Sequence, residues 1–100
     1  LTALAPALRQ LPKLKTLHLH DNQITDQGVA SLLAPPTAGV LPSLVKLYLN
    51  GNQITDEGCA ALESALRGGA LPALKEQYLF RNPASKEAQR AAYAALEARA

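Results

Sequence analysis

The sequence predicts an α/β fold built of stacked strand-then-helix units, and three observations carry that reading. The stretch Leu44 to Ile54, LVKLYLNGNQI, reads L-x-x-L-x-L-x-x-N-x-I, and Leu14 to Ile24, LKTLHLHDNQI, reads the same. A worn copy stands at Leu74 to Ala84, LKEQYLFRNPA, so Asn22, Asn52 and Asn82 fix a period of thirty residues. A fixed period in this range signals stacked units. Within each pattern, leucines alternate with polar residues, the period of two that marks a half-buried strand. After each asparagine the apolar residues switch to helical spacing.

The first ten residues, LTALAPALRQ, place Leu1, Leu4 and Leu8 on one helical face. They align with Cys59, Leu62 and Leu66, so residues 1–10 read as the helix of a partial repeat, started or kinked by Pro6. Because the chain starts at Leu1, it reads as a piece of something longer. The next unit, residues 11–40, opens with Leu11-Pro12, a pair that recurs at Leu41-Pro42 and Leu71-Pro72. Proline cannot donate to a ladder and sits well just before a strand. Residues 16–20, TLHLH, then alternate, with Leu17 and Leu19 inward. Asn22 takes the corner, where its short amide can satisfy backbone groups that a sharp turn leaves unpaired, so it and Asn52 are expected to be buried and bonded to loop backbone. Thr25 is placed to cap the helix that follows, and Asp26 to meet its dipole. Val29, Leu32 and Leu33 form the buried stripe, and Pro35-Pro36 stop the helix.

Residues 41–70 repeat this closely. Leu47 and Leu49 point inward, Asn52 turns the corner, Thr55, Asp56 and Glu57 open the helix, and Gly68-Gly69 end it. Residues 71–100 are eroded. Gln77 stands where Leu17 and Leu47 do, Pro83-Ala84 replaces the Gln-Ile pair, and Lys86 replaces the aspartate. Terminal repeats drift because they must present a polar side to water, so this unit reads as a degenerate C-terminal capping repeat. The whole chain is then a single domain.

The pair LHLHDNQITDQGVASLLA and LYLNGNQITDEGCAALESAL resembles the ribonuclease-inhibitor class of leucine-rich repeats. The resemblance implies a horseshoe segment, with parallel strands on the concave face and α-helices on the convex face. Asn22, Asn52 and Asn82 match the family's asparagine ladder. The family includes protein inhibitors, innate immune sensors and GTPase-activating proteins, and its usual activity is binding another protein on the concave face.

With Leu17 and Leu19 inward, the residues between them must point to the open face. Stacking gives three columns: Thr16, Lys46, Glu76; then His18, Tyr48, Tyr78; then His20, Asn50, Phe80. Two of the three tyrosines and the only phenylalanine therefore share one surface. Clustered aromatics are common in binding surfaces, although cross-strand aromatic pairs also simply stabilise sheets. The expected partner-binding residues are His18, His20, Lys46, Tyr48, Asn50, Glu76, Tyr78 and Phe80. Three short strands offer a patch only on the order of 250 Å², against about 800 Å² per partner in a specific interface. Earlier repeats, loops or helices must add to it.

Other chemistries are poorly supplied. A net charge of +2 and a pI near 8.9 do not suggest a nucleic-acid surface. No apolar run approaches the length of a membrane span. His18 and His20 lie two apart, but Asp21 is the one close candidate for a third metal ligand. Cys59 aligns with Val29 and reads as a small core residue. As the single cysteine it suits a reducing, cytoplasmic setting. No phosphate loop is present, since Gly68-Gly69 lacks the surrounding pattern. The expectation is a non-enzymatic protein-interaction scaffold without metal or cofactor. A regulatory GTPase activator, with Arg81 on the rim, and a permanent structural subunit of a larger assembly are the alternatives.

Overall fold

The computed structural model describes residues 13–33 and 40–99. The helix expected over residues 1–10 and the Pro35-Pro36 stop lie outside them. The element order is β1 (Thr16–His18), α1 (Asp26–Leu32), β2 (Lys46–Tyr48), α2 (Asp56–Arg67), β3 (Glu76–Tyr78) and α3 (Lys86–Glu97). The strands form one parallel sheet in the order β1-β2-β3, and α2 packs between α1 and α3. The register pairs Thr16 with Lys46 and Glu76, Leu17 with Leu47 and Gln77, and His18 with Tyr48 and Tyr78. This is the thirty-residue register that the asparagines set. Ladder bonds run on past the strand ends, from Leu19 N–H to Tyr48 O and from Leu49 N–H to Tyr78 O, both at 2.9 Å.

Leu17, Leu47, Leu49 and Leu79 are buried under the helices together with Ile24, Ile54, Val29, Cys59, Leu62 and Leu66. Each such side chain contributes roughly 1.5–3 kcal/mol by leaving water. Leu19, expected to be buried, is only half-buried. Nothing described stacks on the outer flank of β1, whereas Leu49 has a strand on either side.

The asparagines explain why the corners repeat. Asn52 Oδ1 accepts from the backbone N–H of Asn22 and of Ile24, both at 2.9 Å, and Nδ2 donates to Leu19 O at 2.9 Å and Leu49 O at 3.0 Å. One side chain thus ties two turns together. Asn82 does the same one unit on, accepting from Asn52 N–H at 3.2 Å and Ile54 N–H at 3.0 Å. Asn22 departs from the expectation of burial: it is exposed, and its side chain donates to His20 O alone, at 2.8 Å. The reason is directional. Each carboxamide oxygen serves the unit before its own, and Asn22 faces no described N–H there.

Thr25 and Thr55 take the N-cap positions without a side-chain capping bond. The aspartates after them work across units instead. Asp26 accepts from Thr55 N–H at 2.8 Å and from the Thr55 hydroxyl, and Asp56 accepts from Ser85 N–H at 2.6 Å and Ser85 Oγ at 3.1 Å. Gly58 makes room for the first link: a Cβ there would run into the Asp26 carboxylate and stand 2.6 Å from an Ile54 methyl. At the other end of α2, Ala70 N–H returns to Ala65 O at 3.0 Å while Gly69, at φ 93°, takes the left-handed turn. This is the Schellman ending that Gly68-Gly69 predicts.

The third unit is held differently. Gln77 is buried; its Nε2 donates to Ala92 O at 2.9 Å, and its Oε1 has no partner. The Tyr93 hydroxyl accepts from Leu79 N–H at 2.9 Å. Arg99 donates to Ala70 O at 3.0 Å and Leu71 O at 2.6 Å. These bonds bind α3 and Arg99, two residues past its end, to β3 and the backbone on either side of it. Ala84 turns inward and is buried, as Ile24 and Ile54 are.

Candidate functional site

A parallel sheet with helices on one face leaves its other face to whatever the alternate residues supply. Here they supply rings. His18 and Tyr48 stack with centroids 4.5 Å apart and planes 9° from parallel, and Tyr48 and Tyr78 stack at 4.7 Å and 12°. The strand separation sets this spacing, so the register that aligns the leucines on one face also aligns the rings on the other. His20 meets Tyr48 edge-on at 6.0 Å. Such pairs add about 0.5–1.5 kcal/mol each and hold the rings in one arrangement.

The column borders a shallow cup of about 420 Å³ lined by His18, His20, Tyr48, Asn50, Tyr78 and Phe80. Phe80 is 48% exposed, and the Arg81 guanidinium lies 5.4 Å from its ring centre. Asn50, expected on the open surface, lines the cup but is only 6% exposed, and its Oδ1 has no partner. On the other side of the column, Lys46 Nζ lies 3.6 Å from Glu76 Oε2, with both side chains about 45% exposed. The Tyr78 hydroxyl donates to Glu76 Oε1 at 2.7 Å. That bond holds the Glu76 carboxyl below its ordinary range, with Lys46 adding to the effect. It also pushes the Tyr78 phenol up to about 12. All eight residues expected at the site therefore gather around one column, with Asn50 at its floor.

A larger groove of about 850 Å³ runs along the outer edge of β3, with Gln77, Tyr93 and Leu96 among its walls. Sequence reasoning missed it, because nothing in the repeat pattern signals how Tyr93 and Arg99 fold over the last strand. The Tyr93 hydroxyl and the Arg99 guanidinium are spent on backbone bonds there, and no column of stacked rings lines it, so the aromatic cup is the better candidate.

His18 and His20 meet edge to face with centroids 5.6 Å apart, and among the described residues no group of three His, Cys, Asp or Glu could hold a metal ion. Burial, helped by Asp56 and Asp26, pushes the Cys59 thiol up to about 11. It is a thiol in the core, not an activated nucleophile. No described helix is long and apolar enough to cross a membrane.

Residues 12–58 match the family described as Leucine Rich repeats (2 copies). Comparison with curated protein sequences gave no match. Among solved structures, leiomodin-1 actin-binding site 2 (ABS2) is similar, with a TM-score of 0.70 at 15% identity over 98% of this chain and 70% of that one. At that identity the likeness is one of fold. The family match, the thirty-residue register and the asparagine ladder agree: residues 12–58 are leucine-rich repeats, and the chain is a segment of a leucine-rich-repeat solenoid.

Proposed function

We propose that the chain is a protein-recognition module, non-catalytic, that engages a partner protein through the open sheet face around Tyr48. The observation that carries this reading is the stacked column of His18, Tyr48 and Tyr78 standing on the face the helices leave uncovered. Rings already held by stacking lose little freedom when a partner covers them. The Lys46–Glu76 pair and Arg81 flank the column with the polar rim that such interfaces use. A similar fold carries an actin-binding site in leiomodin-1, which supports protein binding as a use of this architecture. The units are of the ribonuclease-inhibitor type in this reading. Residues 71–100 close the array, supported by the Tyr93, Gln77 and Arg99 bonds across β3. The buried, protonated Cys59 fits a reducing, intracellular setting.

The test is photo-cross-linking of the full-length chain with the reactive side chain at position 48 or, as a control, at Arg90, which is exposed on α3. Cross-links to protein from position 48 alone are expected. Tyr48→Ala should weaken binding of that partner by about 2 kcal/mol, a hot-spot value, and shift the melting temperature little. Cross-links from position 90 alone would move the interface to the helices.

A further inference from the structure

Resting on the open-face reading, we infer that the segment bound there is a proline-rich stretch in the polyproline II conformation, with a basic residue at one end and an acidic residue at the other. Spacing is the first argument. From His18 to Tyr78 the column spans two ring gaps of 4.5 and 4.7 Å. A polyproline II helix has three residues per turn and about 3.1 Å of rise per residue, so about 9 Å per turn. Laid across the strands, it sets equivalent residues over the two end rings, with Tyr48 between them. An extended strand repeats its side chains every ~6.6 Å and falls out of step with the rings.

Hydrogen bonding is the second argument. The rings stack face to face, so the column presents ring edges. A backbone N–H laid against the ring edges finds no acceptor in the rings themselves; proline has none. The carbonyls of a polyproline chain are free and need donors. The Tyr48 hydroxyl lines the cup and makes no hydrogen bond among the described residues. The Tyr78 hydroxyl, already given to Glu76, is excluded.

Charge is the third. Positions 21, 51 and 81 are equivalent and stand just past the three strands in the left-handed conformation, with φ of 57°, 72° and 58°. They carry Asp21, Gly51 and Arg81, so the rim runs from negative at the β1 end to positive at the β3 end. Among the described residues neither Asp21 nor Arg81 has an ionic partner, whereas Lys46 and Glu76 pair with each other. A ligand of opposite polarity completes both.

The experiment titrates the full-length chain with hexaproline carrying lysine at one end and glutamate at the other. The control peptide has the same ends around a glycine–serine core of equal length. Ring resonances of Tyr48 and Tyr78 are followed by NMR. Saturable shifts below about 1 mM are expected with hexaproline only, since a weak small-patch contact lies in the millimolar-to-micromolar range. Tyr48→Ala should weaken binding at least tenfold. Arg81→Glu should weaken it about threefold, the scale of an exposed ion pair, while Arg90→Glu leaves it unchanged. Thermal melts confirm that each variant folds. Equal binding of the glycine–serine peptide, tighter binding of an alanine-rich helical peptide with the same ends, or shifts confined to Lys75 and Leu96 would each overturn the inference. If hexaproline fails while position 48 still cross-links a protein, the ligand class falls and the open-face reading stands. If position 48 captures nothing either, both fall.

Discussion

At the scale of the residue, two side chains of the same type do unequal work. Asn52 holds the turns of two units through bonds to Asn22, Ile24, Leu19 and Leu49, whereas Asn22 bonds only His20 O. Asn52→Ala strands buried backbone groups and should cost roughly 1–3 kcal/mol. Asn22→Ala should cost under about 0.5 kcal/mol, as exposed substitutions usually do. Urea denaturation of the two variants checks this, and equal losses would sink the directional account of the ladder. Cys59 makes the residue-scale prediction for pH. Its folded value is raised from 9.0 to about 11, so the folded chain keeps a proton that the unfolded chain releases. The stability it contributes is intact below about pH 9 and falls as pH rises toward 11. Alkylation by iodoacetamide at pH 9 should be slow in the native chain and fast in denaturant. The repeated asparagines and the alignment of Cys59 with Val29 made both roles legible in the sequence. The exposure of Asn22 was not, because it depends on what lies across the corner rather than on the residue itself.

At the scale of the element, the units are joined by side chains that local rules assign to something else. Asp26 and Asp56 stand where a helix dipole favours a carboxylate, yet each reaches the unit that follows, to Thr55 and to Ser85. The signal was present as Thr-Asp recurring at one offset, but a bond between residues twenty-nine apart in sequence does not show in a helix-start pattern. Gly58 belongs to the same device, since its missing side chain is what the Asp26 carboxylate needs. β3 and α3 were legible only as a worn copy. Gln77 was seen as a departure, but its bond to Ala92 O and the Tyr93 and Arg99 bonds have no counterpart in the other units that could forecast them. Gln77 also leaves a buried oxygen unpaired. Gln77→Leu restores the leucine of Leu17 and Leu47 and removes that group, so it should raise stability by about 1 kcal/mol. Gln77→Ala should instead lower it by opening a cavity. Should Gln77→Leu lower the melting temperature as much as Gln77→Ala does, the bond to Ala92 matters more than the orphan oxygen.

At the scale of the whole molecule, a solenoid's core runs on from unit to unit, and its stability is roughly a sum of units and the interfaces between neighbours. Those terms are uneven here. α1 has seven residues against twelve in α2 and in α3. Leu14 and Leu19 are only half-buried beside β1, while their equivalents Leu44 and Leu49 are 0% and 1% exposed. Asn22 lacks the paired turn contacts of Asn52 and Asn82. At the opposite side, the Tyr93 and Arg99 side chains tie the backbone around β3 to the α3 end of the molecule. The described units should therefore open in order, β1–α1 first. Local openings span from near zero up to the global free energy, so native-state hydrogen exchange should find the amides of Leu32 and Leu33 less protected than those of Leu62 and Leu66 by roughly 1–3 kcal/mol. The open face has a stake in this order, because His18 rides on β1 while Tyr48 and Tyr78 ride on the better-held strands. A ligand that spans all three rings should raise protection most in α1, where the unbound chain is weakest. Uniform protection across α1 and α2, or a ligand effect largest in α3, would show that the molecule opens as one block and that the column is not stabilised from its His18 end.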